Sequence, residues 1–188
     1  MKKLLVLALV CLAVVSCKKE EDDYNNGNNG NTVYTPCPND SGYTCIPDPN
    51  FEQALIDLGY DDVVDGQVST ANISDVDSLN VNSKGITDLT GIDDFSDLNY
   101  LYCYDNQLTS LDVSNNIALT HLECVDNQLT CLNVKNGNNT NFTNFYAGDN
   151  PNLTCIEVDD PAWSIQNWTY IDNGVTFSTN CNYPAGCF

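Results

Sequence analysis

The residues of this chain that could do chemistry are ten cysteines, one histidine, ten tyrosines and 26 acidic side chains. Nucleophilic catalysis needs a hydroxyl, thiol or amine beside a base, and a metal site needs His, Cys or Asp at ligand spacing. His121 is the single histidine, and no G-x-S-x-G, CxxC zinc spacing or glycine-rich phosphate loop occurs. The pairs Asp61-Asp62, Asp93-Asp94 and Asp159-Asp160 read as solvated loops, because acids this dense fall side by side by chance. A calcium loop would spell D-x-[DN]-x-[DN]-G before a glutamate, and none does. The expectation is a protein without catalytic residues, cofactor or metal.

Charge narrows the partners. The formal net charge is −20. Residues 1–16 hold Lys2 and Lys3 and no acid, so the remainder sets 4 lysines against 26 carboxylates, a net −22, with no arginine anywhere. A phosphate-binding surface needs clustered cations, which excludes nucleic acid and disfavours anionic lipid headgroups. Such charge fits cation binding, basic partners or simple solubility.

The positioning elements come from a repeat. Leu98, Leu101, Cys103, Asn106, Leu108 and Leu111 recur as Leu119, Leu122, Cys124, Asn127, Leu129 and Leu132, always 21 residues on. The spelling L-x-x-L-x-C-x-x-N-x-L is that of leucine-rich repeats. Upstream, Val76, Leu79, Val81, Lys84, Ile86 and Leu89 occupy the same template, with Lys84 in place of asparagine. Downstream, Phe142, Phe145, Ala147, Asn150, Leu153 and Ile156 follow. About four coils result, which is enough to bury a continuous core. The expected architecture is a leucine-rich repeat solenoid with a short parallel sheet on its concave face. Alternate strand residues point inward, and Asn106, Asn127 and Asn150 are placed to satisfy backbone groups where the chain bends away. Return segments such as Thr109 to Ile117 are short and polar and are expected to be thin, extended or 3₁₀.

A first coil needs a cap over its apolar cross-section. Asn50 reads as a helix N-cap, Phe51, Ala54, Leu55 and Leu58 follow at helical spacing, Gly59 is a stop and Asp65-Gly66 a turn. IPDPNFEQALIDLGYDD followed by VSTANISDVDSLNVNSKGITDLTGI resembles the N-terminal caps of bacterial internalin-like leucine-rich repeat proteins, and the resemblance spans roughly residues 46 to 180. It implies an internalin-like repeat of 21 to 22 residues and protein binding. The domain reading is 37–75 as a small helical N-terminal cap, 76–159 as repeats and 160–188 as an irregular C-terminal cap, with Asn173-Gly174 a turn.

After Met1 come two lysines, an apolar run from Leu4 to Val15, then Ser16 and Cys17. The run is short of the ~20 residues that cross a bilayer, so residues 1–16 read as a signal peptide. Val14-Val15-Ser16-Cys17 resembles a bacterial lipobox, which implies a lipoprotein acylated (palmitate or a similar chain) on Cys17; the alternative is an ordinary signal with an incidental cysteine. Multiple acyl chains, at ~0.8 kcal/mol per methylene, anchor stably. Lys18-Lys19-Glu20-Glu21-Asp22-Asp23 looks like a signal for display outside the cell outer membrane. Residues 17–36 then form a lipidated, flexible tether.

With Cys11 in the signal and Cys17 acylated, eight cysteines remain. Cys103 and Cys124 hold an inward position and read as buried thiols rather than a metal pair or disulfide. Cys37 with Cys45 would pin the entry to the cap. Cys155 with Cys181 is the favoured bridge, leaving Cys131 with Cys187 as a further pair; an exported location permits disulfides, and sequence leaves the connectivity open. Asp105, Asp126 and Asp149, each one step before a template asparagine, either cap the bends or form a column for loosely held calcium.

Outward strand positions should stack into columns: Ser78, Tyr100, His121, Asn144; then Asn80, Tyr102, Glu123, Tyr146; then Asn82, Tyr104, Val125, Gly148. Tyr100, Tyr102, Tyr104, His121, Glu123 and Tyr146 thus meet on one exposed surface, with His121 facing solvent. Tyrosine offers large contact area at low entropic cost and a polar tip, which suits protein recognition and also sugar stacking. The alternative is that tyrosine simply favours strands. The resulting expectation is a non-catalytic, monomeric, lipid-anchored surface protein that binds another protein, or alternatively a glycan, on its concave face.

Overall fold

The structure, a computed structural model, describes residues 41–188. The signal segment, the tether with Cys17, and Cys37 lie outside the described residues. The strands are β1 (Tyr43–Cys45), β2 (Gln67–Ser69), β3 (Ser78–Asn80), β4 (Tyr100–Tyr102), β5 (Ser110–Asp112), β6 (His121–Glu123), β7 (Cys131–Asn133), β8 (Asn144–Tyr146), β9 (Cys155–Glu157) and β10 (Thr176–Ser178). The helices are α1 (Pro49–Asp57), α2 (Thr70–Ile73) and α3 (Pro161–Asn167), with 3₁₀ turns at Ile92–Asp94 and Asn139–Asn141. Among the described residues no helix is long and apolar enough to cross a membrane.

Strands β3 to β10 form a parallel coil with two four-stranded sheets rather than the single sheet expected, while β1 and β2 pair antiparallel at the N-terminal end. One has the order β3-β4-β6-β8 and the other β10-β9-β7-β5. The polar returns therefore contain strands. The reason lies in the residues: Leu108-x-x-Leu111-x-Val113 repeats the spelling of Leu98-x-x-Leu101-x-Cys103 within one coil, and each set buries its apolar members. Leu101, Leu111, Leu122 and Leu132 are all buried, each contributing roughly 1.5–3 kcal/mol of transfer free energy. The register is uniform, with Leu101 opposite Leu122 and Leu122 opposite Phe145 in the first sheet, and Leu111 opposite Leu132 and Leu132 opposite Ile156 in the second.

Asparagines lock the bends. Asn127 Nδ2 donates to Cys103 O at 3.0 Å and Cys124 O at 3.2 Å, while its Oδ1 accepts from Leu108 N at 3.0 Å. Asn150 does the same one coil later with Cys124 O, Ala147 O and Leu129 N. Asn106 spans the first two coils, accepting from Lys84 N and Ile86 N and donating to Val81 O. A buried amide thus satisfies carbonyls of two coils at once. The residue before each asparagine, Asp105, Asp126 or Asp149, has φ of 55°, and Ser83 before Lys84 matches them. Short polar side chains tolerate this left-handed turn, which gives the acidic column a role in shaping the bend. Lys84 itself turns to α1 and pairs with Asp57 at 3.0 Å.

At the N-terminal end the helix cap is Asp48, not Asn50. Its Oδ1 accepts from Asn50 N and Phe51 N, and its Oδ2 accepts from Thr87 N, Thr87 Oγ1 and Asp88 N. Burial pushes the Asp48 carboxyl up, but the Thr87 hydroxyl and the backbone donors outweigh it and hold it below the usual value. Phe51, Ala54 and Leu55 are buried as the spacing predicts, whereas Leu58, expected on that face, is exposed. Glu52 is buried, and its Oε1 accepts from the backbone of Asp65, Gly66 and Gln67. Gly91, at φ 97°, lets Cys45 and Ile46 approach: a Cβ there would lie 2.5 Å from the Cys45 carbonyl.

The segment 160–188, expected to be irregular, holds α3, capped by Asp160, and β10, which adds to the second sheet. Trp168 stacks on Phe145 with centroids 4.0 Å apart and meets Phe142 and Phe177 at 5.3 and 5.8 Å, closing the last coil.

Candidate functional site

Parallel register builds the first sheet's outward face. Tyr100 lies beside His121, and His121 beside Asn144, in one column. Tyr102, Glu123 and Tyr146 form the next, and a bridge from Tyr146 to Tyr170 extends it by one rung. The rings touch in sequence across the coils. Tyr100 and Tyr102 lie 5.8 and 4.9 Å from the His121 ring, His121 lies 6.3 Å from Tyr146, and Tyr146 meets Tyr170 edge-on at 5.5 Å. Aromatic pairs at these separations favour tilted and edge contacts.

Five of the six residues expected on this face therefore form one connected strip. Tyr100, Tyr102, His121 and Tyr146 do so through their rings, and Glu123 through its Oε1, 3.0 Å from His121 Nε2. Tyr104 sits beyond the strand end, with its backbone N–H donated to Asn82, and is exposed. His121 occupies an outward position as expected, but its side chain is only 12% exposed, because the tyrosines of the coil before and the coil after lean over it. Asn144 donates to the Tyr146 hydroxyl at 2.7 Å and holds that ring in place.

Tyr170 was not anticipated, and it is the most exposed ring of the strip, at 51%. It lies 24 residues after Tyr146, off the 21-residue period, because α3 intervenes. Gly148 is the legible trace of it. A Cβ at Gly148 would stand 3.2 Å from the Tyr170 ring, so the glycine makes room for the tyrosine.

The second sheet's outward face is built differently. Cys131 and Cys155 occupy adjacent outward positions, and each bonds to the C-terminal segment. Cys131 joins Cys187 with Cα atoms 5.9 Å apart, and Cys155 joins Cys181 at 5.8 Å. The Tyr183 hydroxyl, between them, lies 2.6 Å from Leu132 O and 3.1 Å from Cys155 O and accepts from Leu132 N. Burial pushes its phenol above the usual value. The tail thus straps this face. Cys45 is also disulfide-bonded, while the expected Cys37–Cys45 pairing turns on a residue outside those described.

Cys103 and Cys124, inward on the first sheet, are free and buried. Burial pushes both thiols up, Cys124 to about 12, which leaves almost no thiolate to act as nucleophile or ligand. Among the described residues no group of three or more His, Cys, Asp or Glu side chains is placed to hold a metal. A cavity of about 610 Å³ lies apart from the aromatic strip, lined by Thr87, Asp88, Asp93, Ser110, Asp112 and Phe188, among others.

No family model matches this chain, and no curated protein matches it either. Solved structures that it resembles include internalins of Listeria monocytogenes. The functional domain of InlJ, described as including a cysteine ladder, is 25% identical over 60% of this chain and 32% of that one, with a TM-score of 0.41. The internalin InlF is 19% identical over 71% and 43%, with a TM-score of 0.49. Internalin C2 is 17% identical over 81% and 96%, with a TM-score of 0.44. The aligned part thus spans less than half the length of the first two.

Proposed function

We propose that this is a non-catalytic, lipid-anchored cell-surface protein that binds another protein through the first sheet's outward face. The observation that carries the reading is the strip Tyr100–Tyr102–His121–Tyr146–Tyr170, which runs unbroken across successive coils with ring surface left exposed. Soluble proteins seldom leave contiguous aromatic surface open without a partner, and tyrosine is enriched where binding energy concentrates. The second sheet offers no comparable surface, because its outward cysteines bind the tail. The anchor on Cys17 and the outer-membrane location rest on the N-terminal sequence. A glycan ligand is the second reading, favoured by the half-open face of Tyr170.

The test is photocrosslinking on intact cells with benzoylphenylalanine at Tyr102 or Tyr170, and at Thr176 on the second sheet as control. Crosslinks from the first two positions and none from the third are expected. Equal yields from all three would refute the concave-face reading. A glycan array that registers binding lost in Tyr102→Ala with Tyr146→Ala would replace the protein partner by a sugar. For the anchor, Cys17→Ser should release the protein from membranes, and retention would sink that claim. Protease shaving of intact cells reports which side of the outer membrane carries the domain.

A further inference from the structure

The chemistry of this strip points to the kind of partner it takes. The inference rests on the concave-face reading and adds a charge to it. Glu123 stands between Tyr102 on one neighbouring strand and Tyr146 on the other, in the same outward column. Neighbouring strands are about 4.8 Å apart, so the carboxylate is bracketed by two phenol rings. Its side chain is only 27% exposed, and its ion-pair partner among the described residues is His121, which carries charge only when protonated. Among the described residues, no lysine or arginine lies in the outward columns of the face. The two lysines of the described residues are occupied elsewhere, Lys84 on Asp57 and Lys135 on Thr179 O. Along one flank run Asp105, Asp126 and Asp149, all exposed. A half-buried carboxylate with a tyrosine on each neighbouring strand, and no lysine or arginine of the described residues set against it, is complementary to an ammonium or guanidinium group.

We propose that the first sheet takes a lysine or arginine side chain of its protein partner between Tyr102 and Tyr146, with Glu123 as the counter-charge and Tyr170 flanking it on the next rung. The partner surface is basic. Its encounter is steered by the net negative charge, and its binding weakens as salt rises.

The probe is acetyl-octalysine amide, with the same peptide fully Nε-acetylated as the neutral comparison, titrated into the full chain carrying Cys17→Ser. The tyrosine ring resonances are followed by NMR. Octalysine should shift the signals of Tyr102, Tyr146 and Tyr170, while the acetylated peptide leaves them in place. Glu123→Gln should weaken octalysine about five-fold, in line with one lost charge contact. Asp62→Asn, in the N-terminal cap, should change it less than two-fold. Equal losses in the two variants would show diffuse attraction and overturn the proposal, as would unmoved ring signals or equal binding of the neutral peptide.

Failure of the two readings is separable. A crosslinked partner that presents only neutral or acidic residues at position 102 or 170 overturns the cationic inference and leaves the concave-face reading standing. Ring shifts with octalysine, alongside equal crosslinking from all three positions, support the cation chemistry and remove the protein-docking reading.

Discussion

The two sheets of the solenoid each carry a stacked pair of cysteines, and the pairs meet opposite fates. Cys103 and Cys124 follow neighbouring strands of the first sheet, point inward and remain thiols. Cys131 and Cys155 lie on neighbouring strands of the second, point outward and are both oxidised, each to the tail and not to the other. Spacing along the chain is nearly alike, so spacing does not decide the chemistry. Orientation does: side chains of adjacent parallel strands run side by side, which suits packing and leaves an outward thiol open to a different segment. The consequence extends to the surfaces. Thiols turned inward leave the first sheet's outer face to Tyr100, Tyr102 and Tyr146, whereas thiols turned outward let the tail occupy the second.

The largest difference between the sheets is expected in thiol reactivity. With Cys124 pushed up by burial from 9.0 to about 12, its thiolate population in the native protein is about a thousandfold below that of an ordinary cysteine, before steric protection is counted. Disulfide-dye labelling at pH 8 should therefore detect neither Cys103 nor Cys124 until denaturant is added. Rapid labelling of the folded chain would remove the contrast between the sheets. Next in size is the strap. The Cys155–Cys181 loop spans 26 residues and the Cys131–Cys187 loop 56, for which chain entropy gives about 3.5 and about 4 kcal/mol. Cys155→Ser with Cys181→Ser should lower the melting temperature by roughly 7–14 °C, at 2–4 °C per kcal/mol for a domain of this size. A drop under 2 °C would mean that the Cys131–Cys187 bridge, the Tyr183 bonds and the pairing of β10 hold the tail without it.

A smaller effect separates the two bends. Asn127→Ala leaves the Leu108 N–H and the carbonyls of Cys103 and Cys124 without their partner, and should cost about 2–4 kcal/mol. Asn116 serves the other bend, donating to Ile92 O and Phe95 O, but its own Oδ1 is buried without a partner. Asn116→Ala removes that unsatisfied oxygen along with the amide donor, so its cost should be lower, about 1–2 kcal/mol. Urea denaturation of both variants compares them. An equal loss would show that the two bends are locked alike.

How much of this was legible varies by element for physical reasons. The first sheet and its asparagine ladder follow from Leu98 to Asn127, because a buried leucine and a backbone-satisfying amide each tolerate little substitution at a fixed period. The second sheet was equally spelled, Leu108-x-x-Leu111-x-Val113 against Leu129-x-x-Leu132-x-Val134, yet Thr109, Ser110 and Asp112 made it read as a polar return. Short strands show their partners only through neighbouring coils. Asp48 could have been read from Pro49, since proline favours the first helical position and places the cap one residue before it. The half-burial of His121 and the arrival of Tyr170 depend on rings from other coils, and no local pattern encodes them.

The smallest predicted effect is the one that distinguishes scaffold from site. Tyr102 and Tyr146 contact His121 and Tyr170 along the outer face, and the core beneath them consists of Leu101, Leu122 and Phe145. Cross-strand pairs of this kind contribute roughly 0.2–1 kcal/mol each. At 2–4 °C per kcal/mol for a domain of this size, Tyr102→Ala and Tyr146→Ala should therefore each shift the melting temperature by no more than about 4 °C for every such pair lost. Leu122→Ala, two residues from Cys124 on the buried side of the same sheet, should cost about 2–5 kcal/mol, as a fully buried leucine does. If the tyrosine variants proved as damaging as Leu122→Ala, the rings would be structural, and the exposed strip would lose its claim to be a binding surface. Small stability losses together with loss of crosslinking at the remaining positions would instead assign the rings to recognition, because little else about the outer face would have changed.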